Sequence, residues 1–452
     1  MTKRLKNIFN PQSIAFIGAT DKQGSVGLGV CKNLLEGKDK RKIFFVNPFR
    51  EEVLKRKTYP DISSINESID LVIIAVPAKV VLKVTKEAVQ KKVGGIIIIS
   101  SGFAETGDEG KILQDKIVKI VKEAGIPLIG PNCLGMIRPS IRLNTSFAPG
   151  TPQKGNIAFI SQSGALIDSV IDRSFLEKYG FSVIVSYGNE ADLQLCDFLE
   201  WAGEDEETKV IGVYLEAIKD GSRFMKVAKK IARKKPILVL KAGKTKAGKK
   251  SVVSHTAVLA GSDDVYSAAF RQTGVIEVKT MEELLDNLKA LSWQPRCDNG
   301  IAILTNGGGC GVLLADSCEE AGVKLTKLSS STLNKLKKSK KMHPAFSKRN
   351  PLDILGDALS DRYEEAIKAL LSQKNIRGLI VIQTLQIMTE VEKNAKAMIR
   401  AAKKWPHKPI IGLFMGGKYT SPGIKLLEKN MIPNYSDPRR AALSMRALIK
   451  KI

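Results

Sequence analysis

Short apolar, β-branched runs recur along the chain, each followed by a polar or Gly-rich turn and then by a stretch with helical spacing of apolar positions. In the first third the runs are Ser13–Ile17, Ile43–Val46, Leu71–Val76, Gly95–Ile99 and Leu128–Ile129, with helical patterns such as Val80–Lys92 and Lys111–Ala124 between them. Parallel neighbours need crossover helices, so the alternation predicts an α/β fold with a doubly wound parallel sheet and ligands at the carboxyl ends of its strands. Gly130–Asn132 and Phe147–Pro152 read as a linker. A second α/β unit opens at Asn156–Ile160 and continues through Ser182–Ser186, Val210–Leu215 and Ile237–Leu240. Composition becomes linker-like again at Trp293–Gly300, and a third unit opens at Ile301–Leu304, with strands near Leu379–Gln383 and Ile410–Phe414. The expected domains are 1–145, 146–293 and 300–452. Even the longest apolar runs are strand-length, far short of the ~20 residues of a membrane helix, so no membrane span is expected.

The length of 452 residues suits three such domains at about 150 residues each. With 43% apolar and 26% charged residues the chain can bury a core in each, which excludes a disordered protein. Lys plus Arg number 72 against 46 Asp plus Glu, a net charge of +26 that points to an anionic partner: nucleic acid, an acidic membrane or a polyphosphate metabolite. Charge alone does not choose among these. Aromatics are 6% and not interleaved with basic residues, which argues against a single-strand nucleic-acid binder. The basic stretch Lys335–Arg349 reads as a solvated loop or helix face. Six cysteines without a C-x-x-C, and no Cys/His cluster with ligand spacing, suggest reduced thiols, a cytoplasmic protein and no zinc. The basic residues of Met1–Pro11 run directly into a strand, so no secretory leader is expected.

The turn Gly18–Gly27 (GATDKQGSVG) follows the first strand and precedes a helix, where a nucleotide phosphate would meet backbone N–H groups. No G-x-G-x-x-G can be drawn through it, and the second strand ends at Asn47-Pro48 where an NAD site would place an acid. A nucleotide other than NAD is expected. Lys241–Ser251 nearly matches a Walker A loop, but Lys250 stands where a Ser or Thr would bind Mg²⁺, and the stretch reads as a mobile basic loop. Directly after it comes Ser254-His255-Thr256-Ala257; the other histidines, His343 and His407, lie beside prolines in polar surface-like sequence. Two further strand-to-helix turns, Ser161-Gln162-Ser163-Gly164 and Asn306–Gly311 (NGGGCG), present unpaired N–H groups that favour an anion.

These motifs, in this order, resemble a known family: the α subunit of the nucleoside-diphosphate-forming acyl-CoA synthetases, of the ADP-forming acetate–CoA ligase type, related to succinyl-CoA synthetase. The resemblance rests on GATDKQGSVG, VNP, VPA, SSGFAETG and GPNCLG, then on SQSG, YLEAIKDG and SHTAVLAGSDDVYSAAF, and finally on TNGGGCG and NPLDILG, and it covers essentially the whole chain. It implies an N-terminal Rossmann-like domain that binds coenzyme A, followed by two flavodoxin-like domains. It implies that Gly18, Thr20, Asp21, Lys22 and Gln23 cradle the CoA phosphates and that Val76, Pro77 and Ala78 touch CoA. His255 matches the histidine phosphorylated in turnover, Glu216 the carboxylate that hydrogen-bonds it, and Gln162, Ser163 and Gly164 the helix start that holds its phosphate. Asn306, Gly307 and Gly308 match a second phosphate contact.

The chemistry asks for these residue types. A phosphoryl-accepting histidine must be neutral with one ring nitrogen free, and a carboxylate on the other fixes that tautomer. Phosphoryl transfer needs positioning and dispersal of negative charge more than covalent help, hence the helix N-termini. Two departures from the family pattern stand out: Ala257 where Gly commonly follows Ser-His-Thr, and Gly307 and Cys310 within the NGGGCG turn. No stretch resembles an ATP-grasp domain. The resemblance therefore implies a separate ATP-grasp β subunit, most simply in an α2β2 assembly, with Mg²⁺ and ADP or ATP held mainly there. The expected reaction interconverts acyl-CoA, ADP and phosphate with a small carboxylic acid, CoA and ATP. Two rivals remain: a non-catalytic CoA- or acyl-CoA-binding regulatory subunit, and a basic nucleic-acid binder.

Overall fold

The computed structural model describes residues 2–248 and 263–450. It divides into two units, residues 1–279 and 280–452. The first holds two seven-stranded sheets and the second a four-stranded one.

The first sheet contains β1 (Ser13–Ile17), β2 (Lys42–Val46), β3 (Glu52–Val53), β4 (Arg56–Tyr59), β5 (Leu71–Ile74), β6 (Ile96–Ile98) and β7 (Leu128–Ile129), in the order β3-β4-β2-β1-β5-β6-β7. Every pair is parallel except the edge hairpin β3–β4. Leaving out that edge strand gives the Rossmann order, with the switch point between β1 and β5. β1 and β5 are buried at every position, which is why they read as unbroken apolar runs. The covering helix Ala78–Gln90 buries Val81, Val84, Thr85 and Ala88, one stripe at helical spacing.

The second sheet contains β8 (Met136–Arg138), β9 (Leu143–Asn144), β10 (Lys154–Ser161), β11 (Phe181–Ser186), β12 (Val210–Leu215), β13 (Ile237–Lys241) and β14 (Ile276–Val278). Its order is β14-β13-β12-β10-β11-β8-β9, a flavodoxin-like parallel sheet extended by an antiparallel hairpin. That hairpin lies inside the stretch that composition makes look like a linker. Its strands are two and three residues long, too short to show a period, and its turns supply the Gly and Pro. One apolar core joins both sheets of this unit, from Phe16 and Ile73 to Ile160 and Val213. Phe9 of the first helix stacks on Trp201 at 4.0 Å between ring centroids.

The second unit holds β15 (Ile301–Thr305), β16 (Leu352–Asp353), β17 (Gly378–Gln383) and β18 (Ile410–Phe414), all parallel in the order β16-β15-β17-β18, again flavodoxin-like. Helix Met281–Trp293 belongs here: its Asp286, 2% exposed, is gripped in a fork by Arg440 through Nε at 2.7 Å and Nη2 at 2.8 Å. The basic stretch 335–349 is a helix end and loop whose Lys and Arg residues are exposed while Leu336, Met342 and Phe346 are buried, a solvated face. Among the described residues no helix is long and apolar enough to cross a membrane.

Candidate functional site

At the end of β1 the chain turns at Gly18, whose φ is +108°, and a Cβ there would lie 2.3 Å from the Ala75 carbonyl oxygen. Only glycine fits this approach. The following helix, Val26–Leu35, is capped by Ser25, whose Oγ accepts from the Leu28 N–H at 3.2 Å. Within the turn, Thr20 Oγ1 accepts from the Lys22 N–H at 3.2 Å, and Asn47 Nδ2 donates to the Ala19 carbonyl at 2.7 Å. Asp21, Lys22 and Gln23 are exposed, and Asp21 pairs with Arg50 at 2.5 Å, so its charge is already answered from the loop after β2. At the end of β5, Ser100 Oγ donates to the Val76 carbonyl at 2.6 Å and accepts the Val76 N–H at 3.1 Å, fixing Val76-Pro77-Ala78 as the helix entry.

At the end of β10, Ser163 caps helix Gly164–Glu177 by accepting from the Leu166 N–H at 3.4 Å. Gln162 is 8% exposed. Its Oε1 accepts the backbone N–H groups of Glu216 and, at 3.1 Å, Ala217, so it ties the phosphate-type turn to the end of β12. Glu216 is buried, and its carboxylate accepts a hydrogen bond from Tyr214; burial first, then that carboxylate, pushes the Tyr214 hydroxyl up to about 12. His255, with Lys250 and Ala257, lies outside the described residues.

These strand ends meet. A cavity of about 580 Å³ is lined by Val76 and Pro77 from the first sheet and by Gln162, Ser163 and Gly164 from the second. Gly18, Thr20–Gln23 and Ala78 do not line it, although Val26, the first residue of the helix they lead into, does. Its wall is held by a polar network: Asn189 Nδ2 donates to Glu105 Oε2 at 2.5 Å and to Gln114 Oε1 at 3.0 Å, while Glu105 Oε1 accepts the Gly102 N–H at 2.7 Å. Cys133, also on the wall, is buried with its thiol pushed up to about 12, too high for a nucleophile.

In the second unit, Gly307 caps helix Gly308–Glu320. Asn306 is 1% exposed and its side chain is fully engaged. It donates to the Thr384 carbonyl at 3.0 Å and to Gln386 at 2.7 Å, and accepts the Thr384 N–H at 2.8 Å. A Cβ on Gly308 would lie 3.1 Å from Asp353 Oδ2, so a carboxylate already sits against this helix start.

Comparison with known proteins gives three matched segments, the second of which runs past the boundary at residue 279. Residues 12–139 match the CoA binding domain, residues 154–291 the succinyl-CoA ligase like flavodoxin domain, and residues 301–435 the Ligase-CoA domain. The chain is 40% identical over 451 residues to the Pyrococcus furiosus acetate–CoA ligase [ADP-forming] II subunit alpha, covering 99% of this chain and 98% of that one. The chain belongs to the ADP-forming acyl-CoA synthetase family. It is 41% identical to the Archaeoglobus fulgidus acetate–CoA ligase [ADP-forming] I, of whose length it spans 63%. The dinucleotide-forming acetyl-coenzyme A synthetase 1 of Ca. Korarchaeum cryptofilum, solved in complex with phosphate and ADP, superimposes with a TM-score of 0.93 at 36% identity over 98% of this chain and 96% of that one.

Within this family frame, Ser100, Asn132, Cys133, Asp168 and Asn189 line the cavity without having been singled out from the sequence. Cys133 and Asn132 lie in GPNCLG, a motif that carries the resemblance but suggests no role by its composition. Asp168 has no sequence signal at all. Among the described residues, no three His, Cys, Asp or Glu side chains converge to hold a metal ion.

Proposed function

We propose that the chain is the α subunit of an ADP-forming acyl-CoA synthetase, interconverting acyl-CoA, ADP and phosphate with a small carboxylic acid such as acetate, CoA and ATP. The observation that carries this reading is the cavity in which the strand ends of a CoA-binding-type sheet meet the capped helix start Gln162–Gly164. CoA lies along Gly18–Gln23 and Val76–Ala78 with its thiol end in the cavity. Phosphate sits on the N–H groups at Gly164, where helix polarity favours an anion by roughly 1–2 kcal/mol. Held there, a phosphate oxygen attacks the thioester carbonyl, the C–S bond breaks and acyl phosphate forms.

His255, neutral, then accepts the phosphoryl group. Glu216 orients it and stabilises the charge that develops, and is itself placed by Gln162, which holds the Glu216 backbone. The loop that bears His255 carries phosphohistidine to a nucleotide on an ATP-grasp β partner, which holds Mg²⁺ with ADP or ATP. The assembly is most simply α2β2, and it works in the cytoplasm, in keeping with six free thiols. Asn306–Gly308 give a second phosphate contact through backbone N–H groups, since the Asn306 side chain is spent on the 384–386 loop.

The test is reconstitution. The chain with its partner, acetyl-CoA, ADP and phosphate should form ATP and acetate, and either component alone should not. ATP synthesis by the chain alone at the rate of the complex would contradict the division of labour. An intact rate with His255→Ala would show that His255 is not the phosphoryl carrier.

A further inference from the structure

The helix that starts at the phosphate-type turn carries one acid toward the same cavity. Asp168 stands four residues after Gly164, on the same helix face one turn in, and lines the cavity with Val76, Pro77 and Ser163. Its Oδ1 is buried and has no hydrogen-bond partner among the described residues. Buried polar atoms are nearly always paired, so an orphaned oxygen on a carboxylate that lines a cavity marks a place where a ligand donor belongs.

The donors that a CoA synthetase brings there are few, and one must lose its proton. We propose that Asp168 is the general base that takes the proton from the CoA thiol as the sulfur attacks acyl phosphate, and the acid that returns it when phosphate cleaves acyl-CoA. This rests on the function proposed above. In the first direction the S–H bond breaks, the proton passes to an Asp168 oxygen, a C–S bond forms at the acyl carbon and the C–O bond to phosphate breaks. In reverse a phosphate oxygen forms the C–O bond, the C–S bond breaks and the departing sulfur takes the Asp168 proton.

The lining supports the assignment: among the described residues of the cavity only Asp168 and Cys133 titrate, and burial holds the Cys133 thiol at about 12. Burial also raises the Asp168 carboxyl above its ordinary value, toward the range where a base is effective. Among the described residues, the helix that carries it and the strands beneath hold few charged groups. On its helix Asp172 is exposed and Arg173 is held by Glu177 at 2.6 Å. The strands beneath, β10 and β11, carry only Lys154, at the opposite end of β10 from Ser161.

The experiment uses the purified full chain with acetyl phosphate and CoA, compared with Asp168→Asn and Asp168→Glu. Acetyl-CoA formation at neutral pH should fall about 10²–10⁴-fold in Asp168→Asn, the factor expected of a general base. The deficit should shrink as pH rises toward the pKa of the CoA thiol, which as a plain alkyl thiol lies above the ~8.5 of cysteine, and Asp168→Glu should recover at least part of the rate. Calorimetry supplies a readout apart from turnover. Covering Asp168 with the CoA arm removes more water from it, so CoA binding should take up protons in the unaltered chain and fewer in Asp168→Asn, at similar affinity. An Asp168→Asn rate within threefold of the unaltered chain, equal proton uptake, or CoA affinity lost in parallel with rate would each overturn the proposal. If the unaltered chain with its partner forms no acyl-CoA, the proposed function itself fails.

Discussion

Replacing Gln162 by Leu keeps roughly the size of the side chain but removes the oxygen that accepts the N–H groups of Glu216 and Ala217. Both residues are buried, at 5% and 2% exposed, so the two donors lose their partner together. An unsatisfied buried donor costs about 1–3 kcal/mol, and two cost about 2–6. Because the cavity borders Gln162, water can reach part of this site, which places the expected loss near the lower end, about 3 kcal/mol. That is roughly a hundredfold in the local opening equilibrium, at 1.36 kcal/mol per tenfold.

Amide hydrogen exchange of peptides spanning the end of β12 reads this opening directly, without assuming that two units unfold as one. Exchange at Glu216 and Ala217 should accelerate about a hundredfold in Gln162→Leu, and phosphorylation of the chain should fall with it. Gln162→Glu separates the two effects. Its carboxylate keeps an acceptor for both N–H groups, so protection should return, but its charge at the helix start opposes phosphate, so phosphorylation should stay low. Exchange changed by less than threefold in Gln162→Leu, with normal phosphorylation, would show that Gln162 does not hold the end of β12.

Gly18→Ala should lose roughly 2–5 kcal/mol, from a clash of about 1–3 and a left-handed backbone of about 1–2, and calorimetry should show CoA binding weakened with it. Glu216→Gln keeps an acceptor for Tyr214 but removes the charge, so turnover should fall by up to about 10⁴; near-normal turnover would make Glu216 structural. Asp168 has a folded pKa raised by burial, so its contribution to stability declines as pH rises from the unfolded value of about 3.9 through the folded one, and the penalty persists above that. Asp168→Asn should therefore be more heat-stable than the unaltered chain at neutral pH, with the difference vanishing in acid, as thermal unfolding at two pH values will show.

The strands that could be read in the sequence are those buried on both faces. β1, β12 and β18 appear as nearly unbroken apolar runs, and the turn after each is punctuated by Gly or Glu. The hairpins β3–β4 and β8–β9 escaped because their short strands mix charged and polar residues with apolar ones, whereas the equally short β5, β6 and β7 are wholly apolar. At the site, Ser163 was legible because an N-cap is a local signal in the chain. What Gln162 and Asn306 do with their side chains was not: their partners lie 54 to 80 residues away, and only the sheet brings them together. Asp168 is the extreme case, an acid in an ordinary amphipathic helix whose importance comes solely from the cavity it faces.

Conversion of acyl-CoA and phosphate into a phosphohistidine by this chain is tested most directly with the purified chain, acetyl-CoA and radiolabelled phosphate. Acid-labile, base-stable label should appear on the peptide that contains His255, with CoA released in step, and no label should appear in His255→Ala. Label absent from the unaltered chain, or persisting in the variant, would contradict it.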